Sequence, residues 1–232
     1  MLNNKTVVSE QVTGLDLSLE TGEMAKQANG SVILRCGKLV LLAATTMSKS
    51  PKPGQSFFPL TVEYSEKMYA AGKIPGGFFK REARPSEHEI LTSRLTDRPL
   101  RPLFPKSFKY ETQVIVTAMS SDGENMADVL AGVGASAALM VSDIPFSGPI
   151  ATVRVGRVDN NFIVNPTRVQ MASSDMEVIV SGNDSTIVMV EGEAKLITEE
   201  EFLDALKFAH GPIKELIALQ NKLVSDLDII KR

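Results

Sequence analysis

Between Lys73 and Lys109 the chain concentrates the side chains best suited to hold an anion. Nine Lys/Arg stand there against four Asp/Glu, a net of +5; the rest of the 232 residues carry 16 basic against 24 acidic groups, a net of −8. A cationic stretch on an anionic body suits a protein that meets a polyanion with one face and stays soluble with the others. On charge alone, a merely solvated basic face is the alternative. Phe78 and Phe79 adjoin Lys80, Arg81 and Arg84. Rings on which bases stack, set beside cations that take phosphates, hold a single strand without regard to its sequence, each stacked base contributing about 1–3 kcal/mol. Burial of both rings in a core is the competing reading. Farther along, Arg94 and Arg98 stand four residues apart, one helical turn, with Arg101 just beyond. Their guanidinium groups can converge on one anion, or pair with nearby carboxylates such as Asp97.

Other chemistries find little to work with. His88 and His210 have no identifiable nucleophile or acid partner and read as solvated or structural, and Cys36 is the single cysteine. No intrachain disulfide can form, and no zinc-ligand spacing can be written. The longest apolar run, Leu39 to Ala44, is far too short to cross a bilayer, and Met1 to Lys5 has no apolar stretch behind it. Neither secretion nor a membrane partner is expected, and a reducing cytoplasm is the expected compartment.

The elements that must position these residues can be read from pattern. Strands are expected at Val12 to Leu17, at Ser31 to Arg35 and Lys38 to Thr46 as a hairpin around Cys36-Gly37, and at Phe58 to Ser65. Glu66 to Pro85 has no usable periodicity and reads as a long functional loop. Ser86 and Glu89 have the spacing of a capping box, so a helix starts there, with Pro99 and Pro102 expected to stop it. A strand at Val114 to Met119 leads through Asp122-Gly123 to a small-residue helix, Met126 to Val141, whose glycines and alanines permit close approach to a neighbour. Strands at Ile150 to Val158, Phe162 to Val164, Glu177 to Val180 and Thr186 to Val190 precede a last helix capped by Thr198. Strands then helices, twice, mostly with hairpin connections, indicate an α+β domain of mixed sheets with packed helices. One unit with an N-terminal lobe 1–145 and a C-terminal lobe 146–232 is the expected division, the last helix leading to a linker beyond Arg232.

Two runs carry a specific resemblance. Phe78-Phe79-Lys80-Arg81-Glu82-Ala83-Arg84-Pro85-Ser86-Glu87, and Arg94-Leu95-Thr96-Asp97-Arg98-Pro99-Leu100-Arg101-Pro102-Leu103-Phe104-Pro105, closely resemble the FFRREGRPSE and RLIDRPIRPLFP segments of bacterial polynucleotide phosphorylases. Lys80 in place of Arg and Ala83 in place of Gly are departures that leave the charge intact. The likeness continues through Gln27-Ala28-Asn29-Gly30, Gly134-Ala135-Ser136-Ala137 and Ile144-Pro145-Phe146-Ser147-Gly148-Pro149. It implies an RNase PH-like fold, with this chain as the leading such domain. It also implies a homotrimer ringing a channel for single-stranded RNA, processive 3′→5′ phosphorolysis of mRNA with inorganic phosphate as co-substrate, Mg²⁺ in a second domain, and partners in an RNA-degradation complex.

The same resemblance implies that this domain is catalytically silent, with no catalytic and no metal-binding residue. Competent domains of the family offer phosphate a Gly-Ser-Ser-Ser turn at a helix N-terminus; here the matching residues are Gly123-Glu124-Asn125, and a carboxylate repels phosphate. Their metal-binding Asp pair and following Lys align with Met171, Glu177 and Ile179, although a shift of a residue or two brings in Asp175. Met is no ligand for a hard cation and Ile has no polar group to offer. Phe78, Phe79, Lys80, Arg81 and Arg84 are then the RNA-binding set, and Arg94 with Arg98 a vestigial anion site. A non-enzymatic RNA-binding ring subunit of an exosome-like complex is the alternative.

Overall fold

A computed structural model of the protein describes residues 5–12, 14–77, 81–82, 84–225 and 227–232. Six strands form the first sheet: β1 (Thr6–Val12), β2 (Leu15–Thr21), β3 (Gly30–Cys36), β4 (Leu39–Met47), β5 (Leu60–Glu66) and β6 (Thr112–Ser120). Their order is β1-β2-β3-β4-β6-β5. The expected single strand from Val12 to Leu17 is thus two strands. Val12 pairs directly with Leu15, and Gly14 at φ 79° supplies the left-handed residue that so tight a reversal needs.

All neighbours in this sheet are antiparallel except β5 and β6. A parallel pair requires a crossover, and α1 (Glu87–Leu100) lies between the two strands in the chain and packs on β5. The capping box forms as its spacing predicts: Ser86 Oγ accepts from the Glu89 N–H at 3.2 Å, and Glu89 Oε2 accepts from the Ser86 N–H at 2.6 Å. Pro99 does not stop the helix, which runs through it to Leu100 before tightening into a 3-10 turn at Arg101–Leu103. So near the C-terminus a proline forfeits one backbone hydrogen bond, and Pro99 and the wholly buried Leu100 pack into the core in exchange.

The second sheet is antiparallel, in the order β10-β9-β7-β8, from β7 (Ala151–Val158), β8 (Asn161–Val164), β9 (Met176–Gly182) and β10 (Ile187–Ala194). A short helix not anticipated from the pattern, α3 (Arg168–Ala172), stands between β8 and β9 with its own Thr167–Gln170 capping box. The last helix, α4 (Glu199–Ser225), packs on β7, β9 and β1 and so joins the two sheets.

Between the sheets lies α2 (Ala127–Met140), buried along nearly its whole length. Its small residues explain how it fits. A Cβ on Gly132 would lie 2.9 Å from Thr152 Oγ1 of β7, and one on Gly134 would lie 3.5 Å from Ala43 Cβ of β4. Gly132 therefore lets the helix approach the second sheet closely, whereas Gly134 leaves ordinary van der Waals room against the first. Phe104, whose neighbours Leu103 and Pro105 complete the motif, joins Phe58, Phe108 and Phe146 in an aromatic cluster with ring centroids 4.6–5.9 Å apart. The motif is in part scaffold.

Candidate nucleic-acid interface and the closed phosphate turn

Where β5 ends, β6 ends and helices α1 and α2 begin, the surface opens into a cleft of about 410 Å³. Cations from three places reach it: Lys67 and Lys73 after β5, Arg84 before α1, and Arg168 on α3. Of the five residues expected to meet RNA, Arg81 and Arg84 are exposed and Arg84 lines this cleft. Phe78, Phe79 and Lys80 lie outside the described residues. Arg94 and Arg98 do not line the cleft. Arg98 pairs with Glu191 of β10, while Arg94 is exposed, with no ion pair or hydrogen bond among the described residues. Arg101 takes Asp97 with two nitrogens, at 2.7 and 3.0 Å, and also donates to the Leu60 carbonyl at 3.1 Å. That residue fastens α1 to the start of β5.

The turn before α2 is occupied by the protein itself. Asp122 Oδ1 accepts from the backbone N–H groups of Glu124 and Asn125 at 3.0 and 2.9 Å, and its Oδ2 accepts from Asn125 Nδ2 at 2.6 Å. Partial burial alone would raise the Asp122 pKa. The hydrogen bonds from the Asn125 side chain and the two N–H groups outweigh it and hold the carboxyl below its ordinary value. An internal carboxylate thus takes the donors that a phosphate cradle would present. Sequence reasoning blames Glu124 for spoiling this turn; Asp122 is the group that fills it.

The positions aligned with a metal site are likewise committed. Met171 lies on α3, Glu177 and the buried Ile179 on β9. Glu177 Oε1 sits 2.8 Å from Nε of Arg154, a β7 residue whose side chain is 4% exposed. The same guanidinium holds Asp128, in the first turn of α2, with two hydrogen bonds of 2.6 and 3.0 Å. Burial opposes ionisation of Asp128, but the bonds and charge of Arg154 prevail and lower its pKa. Asp175, the residue a shifted alignment would bring in, is held by Arg157, which also reaches Glu201 of α4 at 2.6 Å. The hydrogen bond from Arg157 is the main cause of the lowered Asp175 pKa. A thioether, an isoleucine and carboxylates already paired with guanidinium groups do not fit a hard divalent cation. No step is therefore assigned to Mg²⁺ on this chain.

The two histidines and the cysteine make contacts of their own, apart from these arginine pairs. His210 Nε2 lies 3.0 Å from the Asn183 carbonyl. Cys36 is buried, and burial pushes its thiol up to about 11, far from a reactive thiolate. His88 Nε2 sits 3.3 Å from Glu66 Oε1, both side chains about half exposed.

Residues 15–145 match the model of domain 1 of the 3′ exoribonuclease family, and residues 148–211 match domain 2. The chain belongs to the 3′ exoribonuclease family. Within it, the chain is 52% identical over 228 residues to a polyribonucleotide nucleotidyltransferase of Geotalea uraniireducens, covering 98% of this chain and 33% of that protein. The protein of the same name from Chlorobium limicola is 54% identical, with 98% of this chain and 31% of that one covered. The likeness to polynucleotide phosphorylases read from the motifs thus holds over nearly the whole chain, which spans about a third of the length of these curated relatives. Among solved structures, rice Rrp46 superposes with TM-score 0.69 at 13% identity, covering 97% of this chain and 96% of that one. An archaeal exosome core superposes at 0.65 and 15% identity, covering 96% and 87%. These similarities establish the α+β, RNase PH-like fold expected from the sequence. No described helix is long and apolar enough to cross a membrane.

Proposed function

We propose that this chain is the RNA-guiding part of a phosphorolytic 3′→5′ exoribonuclease and does not itself break the phosphodiester. Phosphorolysis needs a cradle for the attacking phosphate and a stabiliser for charge developing on the scissile group. The observation that carries the reading is the Asp122 carboxylate seated on the N–H groups of Glu124 and Asn125. A phosphate entering there would have to displace a bound anion and approach a second one, Glu124. The pairing of Glu177 and Asp175 with arginines supports the same conclusion.

In this reading Phe78, Phe79, Lys80, Arg81 and Arg84 hold single-stranded RNA, and the cleft cations Lys67, Lys73 and Arg168 extend the field that draws it in. Arg94 and Arg98 are a vestigial anion site, in which an incoming anion competes with Glu191 for Arg98. The lobes 1–145 and 146–232 form one domain, a division supported by the join between the two family matches. The whole protein uses inorganic phosphate as co-substrate, holds Mg²⁺ in a second domain, releases nucleoside diphosphates, assembles as a homotrimer and works in the cytoplasm, in company with other RNA-degrading proteins.

The test is to give the 232-residue chain labelled poly(A), phosphate and Mg²⁺. Salt-sensitive binding of the RNA without release of nucleoside diphosphate is expected. Phosphate-dependent turnover by this chain alone would refute the assignment.

A further inference from the structure

The segment from Lys67 to Pro85 leaves the first sheet at the end of β5 and rejoins the body at α1, and one side chain ties its two ends. Glu89 Oε2 accepts from the Ser86 N–H at 2.6 Å, while Glu89 Oε1 accepts from the Glu66 N–H at 2.8 Å. A capping box calls only for the first of these bonds. The second reaches a residue 23 positions earlier, on another element. Beside it runs a weaker tie between the same ends, His88 Nε2 to Glu66 Oε1, and that oxygen also accepts from the buried Tyr64 hydroxyl at 2.8 Å. Within the segment, Glu82 Oε1 accepts from the Met68 N–H at 2.8 Å.

Such ties matter to a binding segment because a ligand must otherwise supply the free energy to order it. Groups already fixed in place bind more tightly for the same interactions. We propose that Glu89 is a positioning residue for RNA, bridging the neck of the Lys67–Pro85 segment so that Arg81 and Arg84 are presented to the strand from a fixed base. The proposal rests on the RNA-binding reading of that segment. His88 backs up the bridge in a pH-dependent way. The groups facing it are Glu66 and Tyr64 from β5, Asp128 from α2 and Arg168 from α3. The hydrogen bond with Glu66 raises the His88 pKa, against partial burial and Arg168. The charged tie is therefore complete below the ordinary histidine value and fades as pH rises through the raised one.

The experiment uses the full natural chain and the variant Glu89→Gln. A glutamine carbonyl still accepts from Ser86, as capping-box glutamines do, but its amide group cannot accept from Glu66. Affinity for a labelled oligoadenylate is read by fluorescence anisotropy from about pH 6 to about pH 8.5, the range in which histidine titrates. Amide hydrogen exchange at Glu66 is followed in parallel. Expected are faster exchange at Glu66 and a dissociation constant about 3–10-fold higher, the equivalent of one hydrogen bond. The defect should widen toward alkaline pH; a merely structural defect would be pH-independent. The variant Arg81→Ala/Arg84→Ala separates RNA binding from positioning. If that variant binds RNA as the parent does, the RNA-binding reading fails and takes this proposal with it. If it binds more weakly while Glu89→Gln matches the parent at every pH, the positioning role alone is wrong. Should Glu89→Gln fold poorly, His88→Gln serves instead: it should bind more weakly at the acid end and show none of the parent's pH dependence, and an unaltered profile overturns the proposal.

Discussion

Buried arginines decide much of what the carboxylates of this protein can do. Arg154 is held by Asp128 on α2 and Glu177 on β9, and removing one partner of a buried ion pair leaves the other charge uncompensated. Asp128→Asn should therefore destabilise the fold by about 3 kcal/mol, the lower end of the usual range because Glu177 still faces Arg154. Asp128 has a folded pKa below its unfolded one. Its contribution is present above the ordinary carboxylate range and is lost as pH falls through the depressed value. Urea denaturation across the acid range should show the parent losing stability there and Asp128→Asn losing less; parallel curves would dismiss the pair as a stabilising element. In the sequence Glu177 stands out only because it aligns with a metal-binding position of the family's competent domains. Its partner is not visible, since Arg154 reaches it only through the β7–β9 register that pairs Gly156 with Glu177.

At the scale of elements, the glycines of α2 make a sharper claim than helix propensity does. Gly134 has ordinary van der Waals room for a methyl group, whereas a Cβ on Gly132 would press on Thr152 Oγ1, which shares a 2.8 Å hydrogen bond with Ser181 Oγ. Gly134→Ala is expected to stabilise the protein by about 0.5–1 kcal/mol, the usual gain for alanine over glycine within a helix. Gly132→Ala should forfeit that gain and be destabilised by about 1–2 kcal/mol through overpacking. Chemical denaturation midpoints moving in the same direction for both would mean that α2 is not seated against the two sheets as described. The small-residue run announces close packing but not which glycine faces which strand. The capping box of α1 is legible to the residue because it is closed within four positions, while the passage of α1 through Pro99 is not, because core burial of Pro99 and Leu100 offsets a local rule.

Across the molecule, a −8 body carries a +5 stretch, so attraction to RNA should be governed by salt. Replacing Lys80, Arg81 and Arg84 together by alanine is expected to weaken RNA binding and flatten the plot of log affinity against log salt by about 0.7 for each phosphate no longer neutralised. Binding titrations at several salt concentrations measure the slope, and an unaltered slope would remove this stretch from the interface. Local and compositional facts are set by the chain alone: the cationic stretch, the capping box of α1, most of the strand and helix alternation, and motif runs long enough to indicate the family. Tertiary structure decides what each charge is free to do. Asp122 fills the turn before α2, Glu191 takes Arg98, and Glu89 joins two elements 23 residues apart. A sequence records which charges exist, but the energy of a charge depends on its distance to others and on its burial, and those distances arise only once strands have chosen their neighbours and helices have settled between sheets.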